Sequence, residues 1–235
     1  AYIAEAQAVS RFHHPNIVQG YDACESNGFY YFSHEYLSGG SMANRIASGT
    51  ADFSEIGLLT YLRQVTAALR HAWGVGVYHG DINPGNLLLA GQGRIKLTNL
   101  GVPRVAVMRN QAGAPGFVRC GPDYAAPEQL DKPETVNAQT DIYSLGATFY
   151  HLSFGEPPFP AASREDVLRL RRENPMPSFS LKRQEAFSGK YLRLIHDMID
   201  PDPEKRPADP EELAERLEKF HIAGADDWGG LARQV

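Results

Sequence analysis

The segments Tyr78-His79-Gly80-Asp81-Ile82-Asn83-Pro84-Gly85-Asn86 and Leu97-Thr98-Asn99-Leu100-Gly101 decide how this chain folds. Between them lie two short apolar runs, Leu87-Leu88-Leu89 and Ile95-Lys96-Leu97, separated by the turn Gly91-Gln92-Gly93. Apolar runs bounded by turn residues are typical of strands. We therefore predict a strand, a tight turn and a second strand here. The turn is too short to be a phosphate-binding loop.

The overall composition is that of an ordinary soluble globular protein. The 235 residues are 43% hydrophobic and 22% charged, and they suffice for one large domain or one and a half small ones. The net charge is -5, so the chain has no excess of basic residues that would attract nucleic-acid phosphates, and nucleic-acid binding is not expected. Cys24 and Cys120 lie far apart without metal-type spacing, which favours free thiols in a reducing compartment. No transmembrane segment or signal peptide is visible, which predicts a cytoplasmic protein, unless the sequence belongs to a longer membrane-anchored chain.

The first part of the chain predicts one helix and two strands. Residues 1–11 carry apolar side chains at helical spacing, and Pro15 stops that helix. The runs 17–23 and 28–36 are strand-like and are joined by the turn Ser26-Asn27-Gly28.

The remainder is predicted to be mainly helical. One buried helix face is marked by apolar residues four, three and four positions apart, which are Leu58, Leu62, Val65 and Leu69. Four further helices are predicted, respectively, over 141–153, after a cap at Ser163, around 192–199, and after Asp209 as N-cap with Pro210 at the first helical position.

Several motifs, in a fixed order, make residues 1–220 resemble a eukaryotic-type Ser/Thr protein kinase. The two opening segments are similar to the catalytic and metal-binding loops of that family. The other motifs are the hinge-like run 32–41, Tyr124-Ala125-Ala126-Pro127-Glu128, Asp141 and Arg206.

The resemblance implies an α+β kinase-like fold. Residues 1–37 would form a truncated N-terminal lobe with the hinge, built from an αC-like helix and two strands. Residues 38–220 would form the mainly helical C-terminal lobe, followed by a tail over 221–235. The resemblance further implies that Asp141 accepts backbone N–H groups of the catalytic loop, that His79 tethers this loop, and that Arg206 pairs with Glu128.

The same resemblance implies a nucleotide site that is incomplete. Glu5 matches the glutamate of the αC helix, but its lysine partner and the Gly-rich loop are absent from this sequence. Backbone groups near Glu35 and Leu37 would face an adenine, with His34 as gatekeeper, and Leu88 is assigned to the same site. ATP is therefore a candidate cofactor, with Mg²⁺ bound weakly or not at all, and no cofactor is firmly implied.

The residues that would perform phosphoryl transfer are only partly retained. Asp81 matches the carboxylate that orients the attacking hydroxyl, and Asn86 matches one metal ligand. Asn99 replaces the metal-binding aspartate, and Asn83 replaces a lysine, so the metal site has lost its charge. Two further residues are replaced: Gly80 stands where an arginine would receive an activation-loop phosphate, and Gly121 stands where a threonine would contact the catalytic loop.

These losses favour a pseudokinase-like domain that binds a protein partner and transfers little or no phosphate. An active Ser/Thr kinase, whose nucleotide-binding strands are missing from this sequence, is the alternative. A third possibility is homo- or hetero-association, in which another polypeptide completes the small lobe, because a bare strand edge favours association.

Overall fold

The computed structural model describes residues 12–27, 29–49, 53–100, 122–132, 135–161, 163–177 and 181–220. The strands are β1 Gly20–Ser26, β2 Phe29–His34, β3 Leu87–Gly91 and β4 Arg94–Leu97. The helices are α1 Met42–Ala47, α2 Glu55–Trp73, α3 Pro127–Asp131, α4 Ala138–Phe154, α5 Arg164–Glu173, α6 Leu181–Gln184, α7 Gly189–Met198 and α8 Pro210–Glu218. Across these ranges, no helix is long and apolar enough to span a membrane.

Strands β1 and β2 form an antiparallel hairpin whose register runs from Gly20 opposite His34 to Ser26 opposite Phe29. The predicted start at Ile17 is wrong by three residues. Ile17 instead makes a parallel bridge to Leu97 of β4, and the Val18 N–H donates to the Leu97 carbonyl at 2.9 Å. This apolar stretch is therefore buried against the larger part of the molecule before the hairpin begins.

Strands β3 and β4 confirm the hairpin predicted between the two polar segments. Leu87 pairs with Leu97 and Leu88 with Lys96. Gln92 lies between two glycines, and all three have positive φ, which makes the tight turn possible. The Thr98 N–H donates to the Asn86 carbonyl at 3.0 Å, so the hairpin brings its two flanking segments together.

Helix α4 is the centre of the core. It is buried on almost every side, including at Ile142, Leu145 and Phe149. The predicted stripe of α2 is confirmed, since Leu58, Leu62, Val65 and Leu69 are all buried. The described residues thus form a mainly helical body with two small hairpins, which confirms the α+β prediction.

The helix starts follow from local sequence. The Ser163 hydroxyl accepts the Asp166 N–H, and the Asp209 carboxylate accepts the Glu212 N–H, so both predicted caps are confirmed. The predicted αC-like helix and the tail fall on residues 1–11 and 221–235, outside the described residues.

Candidate functional site

The Asp81 loop, residues 79–86, is shaped by Asn83. Pro84 begins a 3₁₀ turn over 84–86, and the Asn83 side-chain oxygen caps it by accepting the Gly85 N–H at 2.9 Å. The Asn83 amide nitrogen donates to the Asp81 carbonyl at 3.1 Å and to its Oδ1 at 3.0 Å. A lysine could not accept the Gly85 N–H, so Asn83 has a structural role that its chemistry explains.

The amides of Asn86 and Asn99 are bonded to each other. The Asn86 Nδ2 donates to the Asp81 carbonyl at 2.8 Å and to Oδ2 at 3.2 Å, which turns its Oδ1 toward Asn99. The Asn99 Nδ2 donates to that Oδ1 at 2.8 Å. Because the Asp81 oxygens only accept, this orientation of both amides is the one in which every contact is a hydrogen bond.

The backbone of the Asp81 loop is fixed by two buried side chains, those of Asp141 and His79. Both oxygens of the Asp141 carboxylate accept backbone N–H groups, from His79 at 2.8 Å and from Gly80 at 2.7 Å. The His79 Nδ1 accepts the Asp81 N–H, so its Nε2 carries the proton and donates to the Thr98 carbonyl at 2.8 Å. The two structural roles expected for Asp141 and His79 are therefore confirmed.

Arg206 and Glu128 form a largely buried, bidentate ion pair, with Nη–Oε distances of 2.7 and 3.0 Å. The Arg206 side chain has no exposed surface. Its remaining N–H groups donate to three carbonyls, which belong to Gln139, Asp200 and Pro201. All five guanidinium donors are thus satisfied, and the expected Arg206–Glu128 pair is confirmed.

The segment after β2 is clamped to the second hairpin. The Glu35 carboxylate accepts Lys96 Nζ in a largely buried ion pair and also accepts the Gln19 N–H at 2.8 Å. Burial favours the neutral acid, but the bonds from Lys96 and Gln19 outweigh it, so the pKa of Glu35 lies below its ordinary value. The His34 Nδ1–H donates to the Glu35 carbonyl at 2.7 Å, using an acceptor expected to face an adenine.

A protein-family model described as "Protein kinase domain" matches residues 1–217. The chain belongs to the protein kinase domain family. Among the relatives of this kinase domain, CBL-interacting serine/threonine-protein kinase 12 of Arabidopsis thaliana is 32% identical over 208 residues, which cover 88% of this chain and 41% of that protein. Serine/threonine-protein kinase fray2 of Dictyostelium discoideum is 30% identical over 216 residues, covering 92% of this chain and 21% of the relative.

The chain thus spans about two fifths of the length of the first of these relatives and about one fifth of the second. Membership of the family implies the use of ATP and Mg²⁺ in general.

The residues present do not fit a divalent cation. Mg²⁺ requires oxygen ligands, usually including one or two carboxylates. Asn86 and Asn99, at the two metal-ligand positions, offer only neutral amide oxygens, and the Asn86 Oδ1 accepts an N–H of the Asn99 amide at 2.8 Å. Within the described ranges, no three histidine, cysteine, aspartate or glutamate side chains form a cluster that could hold a metal.

The structure brings together four of the eight site residues predicted from the sequence: Asp81, Asn83, Asn86 and Asn99. Glu35 is bonded to Lys96 of β4, and Lys96 pairs in register with Leu88 of β3, so Glu35 lies beside the second hairpin. Leu37 follows as a half-buried residue. Glu5, Gly121 and Cys120 fall outside the described residues, while Cys24 is an exposed free thiol.

Two parts of this region were not predicted. Lys96 carries the ion pair to Glu35, and the Tyr124 hydroxyl lies 2.7 Å from the His151 Nδ1. The partners are separated by 61 and 27 residues, respectively, so no local sequence signal identifies either pair.

Proposed function

We propose that this kinase domain is a pseudokinase-like binding module with little or no phosphotransfer. The observation that supports this function is the hydrogen bond from Asn99 to Asn86, because it joins the two amides that stand at the metal-ligand positions. A divalent cation would have to break this bond and would gain no carboxylate from either residue.

Asn99→Asp is the variant that tests this proposal. Asn99 has a φ of 59°, a left-handed conformation that aspartate also tolerates, so the fold should persist. We expect ATP with Mg²⁺ to leave the melting temperature of the wild-type protein unchanged, and Mg²⁺ alone to raise that of the variant, in which a carboxylate stands beside Asn86. A ligand at 100 times its Kd would stabilise a protein by about 2.7 kcal/mol, which thermal-shift titration detects readily.

Phosphotransfer is measured separately on the full-length protein, with radiolabelled ATP and a general protein substrate. Wild type and Asp81→Ala should be indistinguishable from the background without enzyme. Transfer by the wild type that disappears in Asp81→Ala would overturn the proposal.

The alternative function is an active Ser/Thr kinase. It is supported by the retained Asp81 carboxylate and by relatives whose names describe them as serine/threonine-protein kinases. The same two assays decide between the functions, since an active enzyme requires both metal-dependent nucleotide binding and transfer that depends on Asp81.

A binding module needs a partner, and we propose that the partner is a protein. Several relatives are named for interaction with CBL, which describes those proteins. In this chain, Tyr21 and Tyr31 on the first hairpin are 65% and 52% exposed, so this hairpin is the proposed surface for homo- or hetero-association. Light scattering that finds a monomer at every concentration would exclude self-association there.

A further inference from the structure

A cleft of about 180 Å³ lies between helices α2 and α8. The described residues that line it all come from these two helices, and they are Arg63, Thr66, Ala67, Arg70, Ala214, Leu217 and Glu218. The volume is that of about six water molecules, so the cleft suits one large side chain better than a larger ligand.

The cleft has an apolar floor and a charged rim. Ala67 and Ala214 are half-buried on opposite walls, and Leu217 is buried between them. The rim carries the Arg63 guanidinium on one side and the exposed Glu218 carboxylate on the other. An aromatic side chain with an N–H group fits this arrangement, because its ring can cover the floor while the N–H reaches an acceptor at the rim.

The chain leaves helix α8 beside this cleft. The Arg63 Nη2 donates to the carbonyls of Leu217 and Phe220, at 2.8 Å each. The Lys190 Nζ donates to the Lys219 carbonyl and lies 4.5 Å from the centre of the Phe220 ring. Two cations therefore fix the end of the helix, and residue 221 starts next to a side chain that lines the cleft.

The charge of Arg63 is not neutralised by a carboxylate. In the part of the chain that the structure describes, its printed hydrogen bonds go to the two carbonyls alone, whereas the neighbouring Arg70 is paired with Glu211. The sequence beyond Phe220 contains Asp226-Asp227-Trp228, in which two carboxylates immediately precede an indole. This combination complements both the cation at the rim and the apolar floor.

The length of the following segment allows Trp228 to reach the cleft. Ala214 lies six residues before Phe220, which is about 9 Å back along the helix. The eight residues from Phe220 to Trp228 span at most about 26–29 Å when extended, so they are long enough to turn back. Gly224 permits a reversal of the backbone, whereas Ile222, only two residues beyond Phe220, is too close to the helix to return.

We propose that residues 221–228 fold back along helix α8 and place the Trp228 indole in this cleft. The carboxylates of Asp226 and Asp227 then face the guanidinium of Arg63. Because the segment is attached to the helix, its effective concentration at the cleft is in the millimolar range, which populates even a weak contact. The cleft takes no part in the proposed function, so phosphotransfer by the protein would leave this inference standing.

The fluorescence of Trp228 tests this inference in the full chain. The sequence has two tryptophans, at positions 73 and 228, so Trp73→Phe leaves Trp228 as the only reporter. Among the described residues, the Trp73 Nε1 has no hydrogen-bond partner, so this substitution removes no hydrogen bond there. We expect the emission of Trp228 to lie at shorter wavelength, and to be quenched less by acrylamide, than in the same protein unfolded in urea.

Ala214→Leu, made in this single-tryptophan background, fills the cleft from helix α8. Leucine is a good helix former, and we expect the emission and quenching of Trp228 to shift toward the values in urea. The matched control is Glu215→Leu, which adds the same side chain at an exposed position of the same helix outside the lining and should change neither quantity. Ala67→Leu, on the opposite wall, is the second variant if circular dichroism shows that Ala214→Leu does not fold.

Melting temperatures supply an independent readout. Trp228→Ala and Ala214→Leu remove the same contact, so their effects should not add in the double variant. Additive effects would overturn the inference, as would a Trp228 that is as accessible in the folded protein as in urea, or one that stays shielded when the cleft is filled. Shielding that increases with protein concentration would also overturn it, since the occupant would then be the segment of a second copy.

Discussion

Single buried charges hold the loops of this kinase domain in place. The guanidinium of Arg206 is surrounded by the Glu128 carboxylate and three backbone carbonyls, and its Cζ lies 4.9 Å from the centre of the Tyr143 ring. Such a group is stabilising only while every donor is satisfied, because an unpaired buried charge is very costly. The segment that ends at Glu128 is thereby joined to the 200–206 segment.

Arg206→Ala should lower the free energy of unfolding by about 3–5 kcal/mol, since it leaves the Glu128 carboxylate without its partner. Urea denaturation at pH 7 measures this change. Arg206→Lys should show a smaller loss, because lysine keeps the positive charge but cannot form the bidentate pair. The control is Arg70→Ala, which breaks an ion pair to Glu211 whose side chains are 46% and 60% exposed. That variant should cost less than about 1 kcal/mol. Equal effects at both sites would contradict the role assigned to burial.

The ion pair of Glu35 and Lys96 predicts a pH dependence of stability. The pKa of Glu35 is lowered in the folded state, so its contribution is fully present above the ordinary carboxyl value of 4.5 and is lost as the pH falls through the folded pKa. Glu35→Gln should therefore be less stable than wild type by a constant amount at neutral pH. The difference should shrink below pH 4.5.

Unfolding curves measured from pH 3.5 to pH 7 would check this dependence. Lys96→Met serves as the companion variant, and the double variant should be less destabilised than the sum of the two, because both remove one interaction. A difference between wild type and Glu35→Gln that does not change with pH would contradict the prediction.

At the scale of elements, helices α4 and α7 are held close together by Gly146. A Cβ on this residue would lie 2.7 Å from the Met198 Cβ and 2.9 Å from the Ile199 Cγ2. The Met198 Cβ is fixed by its own backbone and cannot rotate away. The absence of a side chain at 146 is therefore a requirement of this helix crossing.

Gly146→Ala should destabilise the protein by about 1–3 kcal/mol, the usual cost of forcing an extra methyl group into a packed core. Gly189→Ala is the matched control, because a Cβ at this first residue of helix α7 meets no atom within 4 Å. It should be neutral or slightly stabilising, since alanine loses less backbone entropy than glycine. Thermal unfolding of both variants measures the contrast, and a neutral Gly146→Ala would show that the helices can separate without cost.

Elements were predictable where local sequence determines them. The caps at Ser163 and Asp209 and the stripe of α2 depend on residues within a turn or two of each other. The start of β1 was not predictable from local sequence, because Ile17 pairs with Leu97, 80 residues away, and so lies outside the hairpin. The bond between Asn86 and Asn99 was likewise invisible in the sequence, although both residues were recognised, since spacing does not show which way an amide faces.

At the scale of the whole molecule, the first hairpin is joined to the helical body by backbone and side-chain hydrogen bonds and by the Glu35–Lys96 ion pair. The Leu97 N–H donates to the Asn16 carbonyl, and the Asn16 side chain donates to the Ile95 carbonyl and to Gln64, each at 2.8 Å. The hairpin itself has no strand partner on either side among the described residues. Its stability therefore depends on this junction rather than on a core of its own.

Amides of β1 and β2 should exchange with deuterium well before those of helix α4, whose residues are buried on almost every side. Hydrogen exchange followed by mass spectrometry would measure both. Asn16→Ala removes two buried or half-buried hydrogen bonds. It should accelerate exchange in the hairpin and leave exchange in helix α4 unchanged, so the difference between their exchange rates should increase. Uniform protection across hairpin and helix would show that the two parts unfold as one unit.

The carboxylate of Asp141 has a consequence for how such a chain can evolve. It belongs to a core helix, yet it determines the path of the backbone at His79 and Gly80. The shape of the loop is therefore inherited through residues that take no part in chemistry. Selection for folding alone would retain Asp141 while leaving positions such as 99 free to drift, so a lineage could lose its reaction gradually and keep a surface on which a new role can be built.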